Sequence, residues 1–185
     1  MMISLLFSFV LILSHTLSIF AIVMPNEYIT KQTCTNAAKM DPKINYTFCL
    51  QALNSDPKSQ SASLTDLGLI SINLVKNNAT NTLSLINRLI GDKTTSNKEK
   101  AALEDCSELF TDSIDEINEI VIDYSKKRFD DVYTKVSGVM TDADSCEEGF
   151  KDVGIPSVLT KQNDFVTGLG AVTLSIVHMV QQHTH

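Results

Sequence analysis

Lys126-Lys127-Arg128-Phe129 puts three cations and an aromatic ring on four consecutive positions of a 185-residue chain whose formal net charge is -7. Such a cluster suits a partner lined with carboxylates. Guanidinium and ammonium groups form charge-assisted hydrogen bonds with carboxylates, and many glycosidases work through a carboxylate pair. The same residues also have a purely structural reading. Cations complement a helix C-terminus, and Asp130-Asp131 complement the N-terminus that follows. That reading accounts for the charges but not for their concentration at one tip. The cluster is too short to track a phosphate backbone, so neither nucleic acid nor an anionic membrane surface is an expected partner.

Little else in the chain has the spacing of a reaction centre. Between Glu99 and Asp123 carboxylates recur along one helical stretch, with Lys100 as the one base among them. A paired-acid or metal site would need these groups to converge, whereas most lie off the apolar seam and read as a solvated face. Asp142-Ala143-Asp144 opens like a calcium loop, but Glu147 stands where glycine is needed and Val153 where the bidentate glutamate belongs. His178, His183 and His185 crowd the last residues, and His15 sits in the leading apolar stretch, which leaves no imidazole for a nucleophile system in a cleft. Gly168-Leu169-Gly170 follows no strand pattern and makes no phosphate cradle. No catalytic residue, metal or cofactor is expected.

Residues 1–23 carry no Asp, Glu, Lys or Arg and are nearly all apolar. They read as a secretory signal peptide with a small residue, Ala21, before the cut. An uncleaved anchor is the alternative, because about 20 apolar residues can span a bilayer. With the signal removed no membrane association is expected, and residues 24–185 form a single domain. Secretion gives the four cysteines, Cys34, Cys49, Cys106 and Cys146, an oxidising compartment, and their even number implies two disulfides. No two are spaced C-x-x-C, so zinc has no support. Two sequons, at Asn45 and Asn78, are usable for glycosylation in that compartment, and Asn45 is favoured because Asn78 falls inside a helical stretch.

The elements that position the cation cluster are written in the apolar spacing. Leu103, Cys106, Phe110, Ser113, Ile117, Ile120 and Tyr124 alternate steps of three and four, and so do Phe129, Val132, Val136, Val139, Ala143, Cys146 and Phe150. Only Ser125-Lys126-Lys127-Arg128 separates the two seams, so the helices must fold back antiparallel through a tight turn. In that register Tyr124 meets Phe129, Phe110 meets Ala143, and Cys106 meets Cys146. The remaining bond is Cys34–Cys49, around a helix-breaking turn at Asp41-Pro42. Ser63 to Ile90 reads as another long helix ended by Gly91-Asp92, and Lys161 to Gln182 as the last. With only 7 Gly and 4 Pro and no β pattern, the fold class is all-α. An up-down-up-down four-helix bundle over 60–182 follows a small helical hairpin over 27–55.

Several strings carry a resemblance: Asn45-Tyr46-Thr47-Phe48-Cys49, Asp66-Leu67-Gly68-Leu69-Ile70-Ser71, Leu103-Glu104-Asp105-Cys106-Ser107-Glu108-Leu109-Phe110, Cys146-Glu147-Glu148-Gly149-Phe150 and Leu159-Thr160-Lys161-Gln162-Asn163-Asp164-Phe165. With the four cysteines in this order, the chain resembles the plant invertase and pectin methylesterase inhibitor family over nearly all of 27–181. The resemblance implies a secreted inhibitor of the apoplast or vacuole, built as a hairpin plus bundle with two disulfides. It also implies a loop motif, Pro-Lys-Phe, that enters the substrate cleft of invertase. Lys127, Arg128 and Phe129 match it, with Lys in place of Pro. The implied partner is a cell-wall or vacuolar invertase, with pectin methylesterase as the alternative on the same scaffold. A helical carrier of a small apolar ligand is the reading from a different class, and a cavity of several hundred Å³ between the helices would favour it.

Overall fold

The computed structural model describes residues 27–183. It contains α1 (Glu27–Met40), α2 (Tyr46–Asn54), a 3₁₀ turn at Pro57–Ser61, α3 (Leu64–Gly91), α4 (Asn97–Ser125), α5 (Phe129–Asp152) and α6 (Thr160–His183), with no strand among the described residues. The expected signal peptide at 1–23 lies outside them, as does His185. Short polar residues cap the starts of α2, α3 and α4. Ser63 Oγ accepts from the Asp66 N–H at 3.1 Å while Asp66 Oδ2 accepts from the Ser63 N–H at 2.9 Å, a reciprocal box that satisfies two otherwise orphaned donors. Ser96 and Asn45 cap α4 and α2 through the N–H groups of Glu99 and Phe48. Gly91 was expected to stop α3 from just outside it. Instead it is the last residue of the helix, has no left-handed backbone, and the chain turns away at Asp92.

Helix α3 packs on α4, α4 on α5, α5 on α6, and α6 back on α3, closing a four-helix ring with short connections. Every residue of the two heptad seams is buried, from Leu103 to Tyr124 and from Phe129 to Phe150. Cys106 and Cys146 are bonded with a Cα–Cα separation of 4.8 Å, and Cys34 and Cys49 with 5.7 Å. The hairpin of α1 and α2 does not stand apart from the bundle. It lies against α3 and α6, which is why α6 buries Val166, Val177 and Val180 in addition to Leu169, Val172, Ile176 and Met179, while Phe165 is half-buried. Composition and length would let α6 cross a membrane, but most of its apolar window is buried inside the fold.

The void between the four bundle helices, lined by Ile72, Val75, Ile117, Ile120, Val136, Val139 and Thr173, measures about 10 Å³. That is about the space of one water, so this void among the described residues offers no berth for an apolar ligand.

One close approach sets the α3–α4 spacing. The Tyr124 hydroxyl donates to the Thr65 carbonyl at 2.8 Å, and the ring crosses Gly68 so closely that a Cβ there would lie 2.0 Å from the hydroxyl oxygen. Gly68→Ala should therefore lower stability, because overpacking of roughly 1–3 kcal/mol outweighs a helix-propensity gain of about 1 kcal/mol. Gly91→Ala meets nothing within 4 Å and should raise it. Urea midpoints for the two variants should move in opposite directions. A Gly68→Ala midpoint at or above the parent's would show that the ring can shift freely.

Candidate functional site

The α4–α5 turn is built before any partner is considered. The Lys127 N–H donates to the Tyr124 carbonyl at 3.0 Å and the Arg128 N–H to the Asp123 carbonyl at 2.9 Å, the two bonds of a Schellman ending. That ending needs a left-handed residue, and Lys127 takes the position with φ 58° where glycine is usual. A side chain there costs roughly 1 kcal/mol, and the tight reversal leaves Lys126, Lys127 and Arg128 exposed at the end of the bundle.

Beneath the turn sits a carboxylate that ties it to the next helix. The Asp123 side chain is 4% exposed, and Arg128 Nη2 donates to its Oδ1. Lys135 Nζ, from α5, donates to Asp123 Oδ2 at 2.9 Å and also to Glu119 Oε2. The Lys135 bond, with that of Arg128 behind it, holds the Asp123 carboxyl below the usual carboxylate range against the opposite push of burial. Arg128 Nε lies 3.3 Å from Asp131 Oδ2, yet the Arg128 side chain keeps 43% of its surface in solvent. A guanidinium has five N–H donors, so the Nη1 edge remains available to a partner.

The structure separates the three residues expected to act together. Lys127 and Arg128 are exposed, whereas Phe129 is 7% exposed and packs edge-to-face on Tyr124 with ring centroids 6.0 Å apart. Phe129 is the first residue of the α5 seam, and the core claims its ring. The exposed apolar side chain near this end is Ile122, 49% exposed and one helical turn before Lys126 on the same face. Asp123 and Ile122 were both missed from sequence. The available signal was an apolar residue off the seam, followed by an acid beside it.

Farther from the tip, α4 and α5 bring two carboxylates together. Ser113 Oγ donates to Asp142 Oδ2 at 2.7 Å, and Glu116 fits against Gly138, where a Cβ would come within 2.8 Å of its Oε2. Burial, followed by the nearby Asp142 charge, raises the Glu116 pKa above its ordinary value; Lys135 opposes this and Glu119 adds to it. A raised carboxyl pKa means that the folded state binds the proton more tightly, so Glu116 favours folding as pH falls through its folded pKa. Glu116→Gln should therefore raise the melting temperature at pH 7, with the gain vanishing toward pH 4. A pH-independent difference in melting curves would locate the effect in packing rather than charge. Asp123 has the opposite sign: its contribution is present above the unfolded carboxylate pKa and is lost as pH falls through the lower folded value.

The sequons also differ in setting. Asn45 is exposed at the start of α2, and Asn78 is half-buried within α3.

Comparison with known proteins supplies the remaining observations. A sequence profile described as "Plant invertase/pectin methylesterase inhibitor" matches residues 29–176. A protein named "Putative invertase inhibitor" from Platanus orientalis is 34% identical over 169 residues, covering 91% of this chain and 98% of the relative. A "Pectinesterase inhibitor" from Actinidia deliciosa is 32% identical over 117 residues, covering 63% of this chain and 62% of that protein. Among solved structures, a pectin methylesterase inhibitor from Arabidopsis thaliana superposes with a TM-score of 0.59 at 24% identity, covering 81% of this chain and 96% of the other. That likeness concerns the fold.

Proposed function

The chain belongs to the plant invertase/pectin methylesterase inhibitor family, and we propose that within it the chain is a secreted inhibitor of a plant invertase, a β-fructofuranosidase. The family model and the two relatives described above carry inhibitor names, and the chain is read as an inhibitor rather than an enzyme. The proposed action is occlusion: the α4–α5 tip enters the active-site cleft and sets Lys127 and Arg128 against its carboxylates. Glycosidase clefts present paired carboxylates, which a fork of N–H donors can bridge.

The observation that carries this reading is the concentration of three exposed cations on one tip of a chain whose net charge is -7. The Schellman turn and the Asp123 clasp below it support the tip in one shape, which reduces the ordering cost of binding. Ile122 offers the neighbouring apolar contact that the buried Phe129 does not. The choice of invertase is supported by the Platanus relative, which aligns over nearly its whole length. The Actinidia relative favours pectin methylesterase as the second reading.

The purified, oxidised chain should be added to invertase and pectin methylesterase assays run side by side at acidic pH. Invertase should lose activity in proportion to added protein while the esterase does not. Inhibition of the esterase alone would replace the first reading by the second, and inhibition of neither would remove both.

A further inference from the structure

We propose that Asn45 carries an N-linked glycan and Asn78 does not, and that the first sugars on Asn45 lie in the open groove between α2 and α6. The inference rests on secretory routing of the chain and is independent of which enzyme the tip meets.

The two asparagines use their side-chain amides in opposite ways. Asn45 caps α2 through its oxygen: Oδ1 accepts from the Phe48 N–H at 3.0 Å, and no hydrogen bond engages Nδ2 among the described residues. Glycosylation takes place at Nδ2. The nitrogen bonds to the anomeric carbon of an oligosaccharide carried on a lipid pyrophosphate. The carbon–oxygen bond to the pyrophosphate breaks, the pyrophosphate leaves with its electron pair, and Nδ2 gives up one of its two protons. The product keeps the carbonyl oxygen, so the helix cap and the glycan coexist on one side chain.

Asn78 is set differently: its Nδ2 donates one of its two protons to the Leu74 carbonyl at 2.9 Å, from a half-buried position in the middle of α3. The Thr80 hydroxyl of that sequon is likewise bonded back to the Lys76 carbonyl at 2.8 Å. A glycan on Asn78 would have to be accommodated against a packed helix face when the bundle closes.

Both the acceptor and the threonine of the first sequon line a groove of about 440 Å³ shared by α2 and α6, together with Phe48, Gln51, Asp164 and Gly168. Its floor is the Phe48 ring, fixed edge-to-face on Phe165 at 5.1 Å between centroids and seated so close to Gly168 that a Cβ there would lie 3.0 Å from it. Gln51 and Asp164 supply polar groups at the wall for sugar hydroxyls. An aromatic floor with polar walls, opening beside an exposed acceptor nitrogen, suits the first sugar of the chain attached there.

The full chain should be secreted from plant cells and examined by intact mass and glycopeptide mapping. One glycan is expected, at Asn45. It should disappear in Asn45→Asp, which keeps a capping oxygen, and in Thr47→Ala, and should persist in Asn78→Gln. Hydroxyl-radical labelling of Phe48 should be at least twofold lower in the glycosylated parent than in Asn45→Asp. A bare Asn45, or a glycan found at Asn78, would overturn the site. Equal labelling of Phe48 would overturn its placement in the groove. None of these readouts depends on inhibition, so a failure here is distinct from a failure of the invertase assay.

Discussion

Replacing Cys106 and Cys146 together by alanine should lower stability by about 4 kcal/mol, the loop-closure entropy that a 40-residue separation removes from the unfolded chain. For a domain of this size that corresponds to a fall in melting temperature of roughly 8–16 °C. The helices themselves should persist, because the seam is buried both between the bond and the turn, from Tyr124 and Phe129 to Phe110 and Ala143, and beyond the bond at Leu103 and Phe150. The second bond behaves differently. Opening Cys34–Cys49, 15 residues apart, removes about 3 kcal/mol in the same terms, but the loss is local. The hairpin of roughly 30 residues cannot bury a self-sufficient core, so it depends on its staple and on α6. Amide exchange across 27–55 should accelerate in a Cys34→Ala/Cys49→Ala variant while the α4 and α5 seams keep their protection. Unchanged urea midpoints for the Cys106/Cys146 variant, or unchanged exchange in the hairpin for the other, would overturn the respective expectation.

Arg128→Ala should weaken inhibition of the target enzyme by tenfold or more while the bundle remains folded. Truncating one partner of a desolvated Arg–carboxylate contact costs about 2–5 kcal/mol, and 1.4 kcal/mol is already tenfold. Arg128 has two attachments: Asp123 and Asp131 take Nη2 and Nε, and Nη1 makes no ion pair among the described residues. The substitution therefore removes a contact to the partner and one of the two cations that satisfy the buried Asp123. Arg128→Lys keeps the charge but loses the planar fork and should fall between parent and alanine. Asp123→Asn separates the two roles. It removes the internal charge but leaves the Schellman hydrogen bonds in place, so it should weaken inhibition less than Arg128→Ala does. High salt should slow association more than it speeds release. An Arg128→Ala variant that inhibits as well as the parent would make the tip no more than a helix terminus, and the binding surface would have to lie on the bundle's flank.

How far these features could be read without coordinates follows from their range. The seams were legible because a heptad pattern depends only on spacing along one helix, and a very short connector leaves two such helices one register in which to meet. That register also brings Cys106 opposite Cys146. The same seam placed the Phe129 ring inward against Tyr124, where it lies, with Lys127 and Arg128 left in water. Two features were not legible, each because it depends on a group from another element. Asp123 reads like every other acid on α4 until Lys135 arrives from α5 and makes its burial tolerable. The second apolar face of α6 acquires its cover only when the disulfide-pinned hairpin folds back onto it. The helices, their pairing and the end of the bundle at which positive charge collects follow from the amino-acid order alone, because periodicity and chain connectivity are local. Which of those residues stay exposed follows from tertiary packing, because exposure is set by whatever lies alongside.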